Sequence, residues 1–205
     1  MDRASITEWK ARLSTWCTPT EFKLMVEDCR KSAGRFGTLT HHGMGFWRDA
    51  WLAAEHAVHL RSHAVQLIHP REFPDYAMKI GNAVFEFEAT EAIRPERRRA
   101  DEFRQDLVAI EQGQSANREH PFEEWLTPKL AFSILRSRSE NKARKSYANR
   151  CGLLIYLNES EYGSNEQAIR NVFGPATEAA GKTFLSVDIL WNSQFHRVWL
   201  AGLPS

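Results

Sequence analysis

Cysteine is scarce in this chain: Cys17, Cys29 and Cys151 are the only three in 205 residues. Their odd number and wide spacing exclude a disulfide framework and offer no zinc-type pair. Reduced thiols in a cytoplasmic protein are the expectation. Net charge is nearly absent as well, at +1, which excludes the global basic signature of a histone-like binder. Any contact with nucleic acid must come from local clustering. No apolar run approaches the ~20 residues a membrane span needs, and Met1-Asp2-Arg3-Ala4-Ser5 is not followed by an apolar signal segment. There is no internal repeat and no low-complexity tract. What remains is a chain with 42% hydrophobic residues, enough for a core. Its length fits one domain, or one domain carrying an extra N-terminal piece. The division expected is a helical extension over 1–45 packed on an α/β domain over 46–205.

The extension reads as two helices. Ile6, Trp9, Leu13 and Trp16 recur at helical spacing over 5–16, with Ser5 and Glu8 as a capping box. A second helix starts at Thr18-Pro19, proline favouring the first helical position, and runs to Ser32. Residues 33–45 read as a glycine-broken loop; its adjacent His41 and His42 lack a third ligand at metal spacing. Trp47, Trp51, Ala54 and Val58 then mark a helix over 46–62, and Val65–Ile68 a short first strand.

The stretch from Arg71 to Glu91 organises the rest. It reads as two strands joined by a Gly81-Asn82 turn, glycine suiting the φ > 0 of a primed hairpin. With Ile80 and Ala83 flanking the turn, Asp75 faces Glu88 and Ala77 faces Glu86. Strand alternation then puts Asp75, Glu86 and Glu88 on one side and Tyr76, Met78, Phe85 and Phe87 on the other. Opposed like charges roughly 5 Å apart destabilise a sheet unless a cation sits among them, and a hard divalent ion held by carboxylate oxygens answers that need. An amphipathic hairpin whose outer face is simply solvated is the ordinary alternative.

Basic residues cluster twice beyond this hairpin. Arg97, Arg98 and Arg99 follow it closely, placed either to grip a phosphate backbone or to form ion pairs on a solvated helix. Thr127-Pro128 opens a helix with an apolar stripe at Leu130, Ala131, Ile134 and Leu135. Arg138, Lys142 and Lys145 continue the line of that stripe two turns on. Between Arg136 and Arg150 stand six Lys/Arg against one Glu, either complementing the helix dipole or facing phosphate. Cys151–Leu157 reads as a buried fourth strand. Ser164 and Gln167 cap a helix reaching Phe173, with a further turn to Ala180. Phe184–Trp191 and Gln194–Leu200, joined by Asn192-Ser193, form a C-terminal β-hairpin.

Pro74-Asp75, a short gap, then Glu86-Phe87-Glu88, set in the order helix, three strands, helix, strand, resembles the PD-(D/E)xK phosphodiesterase superfamily, the restriction-endonuclease-like nucleases. The resemblance covers residues 46–158. It implies an α/β fold with an αβββαβ core, a mixed sheet flanked by helices. It also implies Mg²⁺- or Mn²⁺-dependent cleavage of nucleic acid, with DNA the expected partner and a homodimer the form in which many members cut both strands. Asp75, Glu86 and Glu88 take the metal-binding and catalytic positions, and the acidic residue on the first helix is Glu55. The family's lysine, two residues after the first glutamate, is here Glu88; some members carry glutamate there, and others supply the lysine from the second helix, which makes Lys142 its replacement. The other outcome is the same fold with an eroded site, acting as a module that binds nucleic acid or a protein partner.

Overall fold

The computed structural model describes residues 1–34, 37–40, 43–68, 73–95, 97, 105, 108–113, 125–145, 151–159 and 165–200. Among them are eight helices: α1 (Arg3–Leu13), α2 (Pro19–Ala33), α3 (Gly37–Thr40), α4 (Gly45–His59), α5 (Pro128–Ala143), α6 (Glu166–Asn171), α7 (Phe173–Ala176) and α8 (Glu178–Thr183). The strands are β1 (Ala64–Leu67), β2 (Tyr76–Ile80), β3 (Ala83–Ala92), β4 (Gly152–Leu157), β5 (Ser186–Trp191) and β6 (Gln194–Leu200). They make one six-stranded mixed sheet in the order β1-β2-β3-β4-β5-β6, so the chain is α/β. No helix among the described residues is long and apolar enough to cross a membrane. His41, His42 and Ser164 lie outside the described residues.

Two compact units share the chain. The first comprises 1–71, 78–83 and 95–123. Asp2, rather than Ser5, caps α1: its carboxylate accepts the Ser5 N–H at 2.8 Å. A carboxylate immediately before the first helical residue, Arg3, competes well for the free amides of the first turn. Thr18 and Glu21 close a reciprocal capping box on α2. The expected loop over 33–45 instead holds the single turn α3, where Gly37 approaches the Ala33 Cβ closely enough that an added Cβ would sit at 3.2 Å. Helix α4 buries Ala50, Ala53, Ala54 and Ala57, small side chains that let α2 pack close with Phe22, Val26 and Cys29. Phe22 is fully buried, worth about 1.5–3 kcal/mol. Trp47 donates its ring N–H to the Val26 carbonyl at 3.1 Å.

The second unit comprises 72–77, 84–94 and 124–205. Strand β3 pairs in parallel with β4, Glu88 opposite Leu153, and β4 in parallel with β5, Leu153 opposite Val187. Parallel neighbours require a crossover, supplied by α5 between β3 and β4 and by α6–α8 between β4 and β5. Helix α5 begins where expected, its Thr127 side chain accepting the Leu130 N–H. One face of the sheet packs Leu153, Ile155, Val187, Ile189 and Trp191 against Ala131, Ile134, Leu135 and Phe173. β5 and β6 pair antiparallel across Asn192 and Ser193, whose φ values of 48° and 59° are those of a type I′ turn. The fully buried Asp188 of β5 is held by a two-pronged contact from Arg197 of β6, at 2.8 and 3.3 Å.

Candidate active site

Phe87 sets the geometry of the carboxylates. It points to one side of β3, where its ring stacks on Tyr76 at 5.4 Å between centroids, and both rings are buried. Alternation then sends Glu86 and Glu88 to the other side. Both press on the same group there: the Cys151 thiol, at the entry to β4, is pushed up to about 11 by burial and then by Glu88 and Glu86. Sequence reasoning had no means to find this neighbour, because the β3–β4 register alone brings Cys151 beside a residue so far back in the chain.

Asp75 lies just ahead of β2, after a cis Phe73–Pro74 bond. Two contacts tether it on either side of Glu88. Its backbone N–H donates to the Phe87 carbonyl at 3.0 Å, and its carboxylate accepts the Ala89 N–H at 2.7 Å. The negative charge so placed bears on Glu88, whose carboxyl is held above the ordinary glutamate value first by burial and then by Asp75. Glu88 is 1% exposed.

Lys142 reaches this carboxylate from the last turn of α5. Its Nζ forms an ion pair with Glu88 Oε1 and lies 3.4 Å from the Ala89 carbonyl. The other oxygen, Glu88 Oε2, is buried and has no hydrogen-bond partner among the described residues. The line of the apolar stripe on α5 runs to Lys142 through buried Ser139, whose hydroxyl accepts the Ala180 N–H at 3.0 Å. Arg138, read from its spacing as part of that line, is exposed on α5. Lys145, one residue past the C-cap, is exposed; its Nζ stands 4.7 Å from the Phe73 ring centroid, and its charge also bears on Glu88.

The remaining candidates lie elsewhere in the chain. Glu55 belongs to the first unit, where its carboxylate takes Lys23 Nζ at 2.7 Å. Arg97 is half-buried and engaged with other groups. Arg98 and Arg99 lie outside the described residues.

Among the described residues no group of three or more His, Cys, Asp or Glu is arranged to hold a metal ion. The carboxylate pair is Asp75 and Glu88, with Glu86 half-buried on the same side as Glu88. Such a donor set is all hard oxygen and includes one oxygen without a partner. It fits Mg²⁺, which commonly rests on one or two carboxylates and completes its shell with water and substrate phosphate. No family model, no curated protein and no solved structure matches this chain.

Proposed function

We propose that this protein is a metal-dependent, nuclease-like phosphodiesterase that hydrolyses nucleic acid, DNA first among the candidates. Asp75 and Glu88, with Glu86 beside them, are its Mg²⁺- or Mn²⁺-binding carboxylates. The observation that carries the reading is the buried Glu88 Oε2 next to Asp75, without a hydrogen-bond partner among the described residues, with the Lys142 ammonium on the same carboxylate. Two carboxylates and a lysine gathered around buried Glu88 are the chemistry phosphodiester hydrolysis asks for. The order α4, β1, β2, β3, α5, β4 and the Pro74-Asp75 … Glu86-Phe87-Glu88 pattern support a restriction-endonuclease-like core.

A divalent ion bound there supplies positive charge to a phosphoryl oxygen and acidifies a water. The protein's own groups do the rest. Asp75, tethered through Phe87 and Ala89, presents a fixed oxygen. Lys142 brings an ammonium to stabilise charge building on the phosphorus oxygens. Glu88, held above its ordinary value by burial and by Asp75, has the raised proton affinity that a general base for water requires. Exposed Arg138 and Lys145 line the cationic end of α5 for the flanking phosphates. Cleavage of both strands would call for two such sites, as in a homodimer, and the free thiols Cys17, Cys29 and Cys151 suit the cytoplasm.

One observation favours a second reading, an inactive site on a module that binds nucleic acid or a protein partner: Lys142 already supplies Glu88 with a counter-charge. Cleavage assays separate the two. Purified protein is incubated with DNA and with RNA in Mg²⁺, in Mn²⁺ and in EDTA. The expected result is metal-dependent cleavage that Asp75→Asn abolishes without loss of the fold. Retained nucleic-acid binding without any cleavage would establish the second reading. A folded Asp75→Asn protein cutting as fast as the parent would refute the role of Asp75.

A further inference from the structure

The segment leading to Asp75 carries a large aromatic side chain that is partly exposed. Phe73 is 51% exposed, two residues before the Asp75 carboxylate. Lys145 holds its ammonium 4.7 Å from the ring centroid, a cation–π distance, and the same charge is felt by Glu88. An exposed ring, an exposed ammonium and a carboxylate pair therefore adjoin one another. A nucleotide offers the complementary set: a flat base with a π face, joined to a phosphate.

We propose that Phe73 and Lys145 form a subsite for an unpaired nucleotide next to the scissile phosphate, so that the substrate is single-stranded nucleic acid or an unpaired end. The inference rests on the phosphodiesterase reading above. Phe73 stacks on the base, and stacking is tolerant of sequence because every base has a π face. Lys145 takes the adjoining phosphate as a point charge. In a duplex the π faces are covered by neighbouring base pairs, so Phe73 reaches one only after a base leaves its stack. An intact duplex therefore meets this subsite at a penalty that a single strand does not pay. The two groups divide the work: Phe73 reads the presence of a base, and Lys145 reads charge alone.

Fluorescence anisotropy in EDTA tests this with cutting silent. The probes are fluorescein-labelled oligo-dT, an abasic oligomer of the same length and a blunt duplex. The parent is expected to bind oligo-dT more tightly than either of the others. Phe73→Ala should weaken oligo-dT binding by about tenfold and leave the abasic oligomer unchanged. Phe73→Trp should restore binding, with its fluorescence quenched by oligo-dT. Lys145→Gln should weaken oligo-dT and the abasic oligomer alike and reduce the dependence on salt. Equal binding of oligo-dT by parent and Phe73→Ala, equal binding of oligo-dT and abasic oligomer by the parent, or no binding at all would each overturn the subsite. The metal-dependent cleavage assay judges the underlying reading separately. Cleavage persisting in the parent while Phe73→Ala binds normally would remove the subsite alone; base-dependent binding without any cleavage would remove the phosphodiesterase alone.

Discussion

Lys142 and Glu88 stand 54 positions apart in the chain and meet as an ion pair between the last turn of α5 and β3, with side chains 14% and 1% exposed. A pair so deeply placed stabilises little by existing, because both ions lose their water; breaking it from one side is what costs. The Asp75 charge nearby adds to the demand for a cation.

Lys142→Ala is therefore expected to destabilise the protein by about 3–5 kcal/mol at neutral pH, since it leaves the Glu88 carboxyl buried without its counter-ion. Urea unfolding checks it. The double variant Lys142→Met with Glu88→Gln should recover most of the loss, because it removes both charges at similar volume. A double variant as unstable as Lys142→Ala would mean that the packing of Lys142, and not its charge, is what matters.

The pH dependence has a definite sign. Burial and Asp75 hold Glu88 above the ordinary value of 4.5 in the folded protein, so the folded state keeps a proton that the unfolded state has already released. The stability Glu88 contributes is full below 4.5 and is lost as pH rises through its higher folded value. Glu88→Gln should remove this falling segment from a plot of unfolding free energy against pH, measured in urea from pH 4 upward. A Glu88→Gln curve parallel to the parent's throughout would show that Glu88 does not titrate differently in the fold.

Gly152, at the entry to β4, is required by space. An added Cβ would lie 2.4 and 2.5 Å from the Phe87 ring and 2.9 Å from Ser186 Oγ. Gly152→Ala should cost about 1–3 kcal/mol as overpacking, and Phe87→Leu in that background should return part of it. Thermal or urea unfolding of the two single variants and the double variant gives the coupling. An additive result would place the clash elsewhere.

The three thiols should react in a fixed order. Cys151 and Cys29 are buried and pushed up to about 11, so at pH 8 roughly one in a thousand of each is thiolate. Cys17 is half-exposed. Iodoacetamide should label Cys17 first, and the other two only after denaturant is added, as read by peptide mass spectrometry. Early labelling of Cys151 would mean that the entry to β4 beside Glu88 opens to solvent.

Local signals carried far along this chain. Thr18-Pro19 and Thr127-Pro128 start α2 and α5 at the stated residues, because a side-chain cap and a proline act within one turn. Phe/Glu alternation sorted Phe87 from Glu86 and Glu88, since strand geometry has a period of two. Asn192-Ser193 closed the last hairpin for the same short-range reason. Where two local signals competed, as Asp2 and Ser5 did for the cap of α1, spacing alone did not rank them. The turn α3 escaped notice because glycines at 34, 37, 43 and 45 outweigh a four-residue helix.

The meeting of distant groups was beyond such reasoning. The helical repeat points Lys142 along the line of a buried stripe, but which strand it meets depends on how α5 lies across the sheet. Cys151 adjoins Glu86 and Glu88, and Glu88 Oε2 is left without a partner among the described residues, only through the β3–β4 register and the packing above it. Residue order determines the period, the caps and the turns, because these are settled by atoms a few bonds apart. The burial, the altered proton affinity of Glu88 and its choice of Lys142 arise from contacts across 54 positions, and those exist only once the crossover has closed.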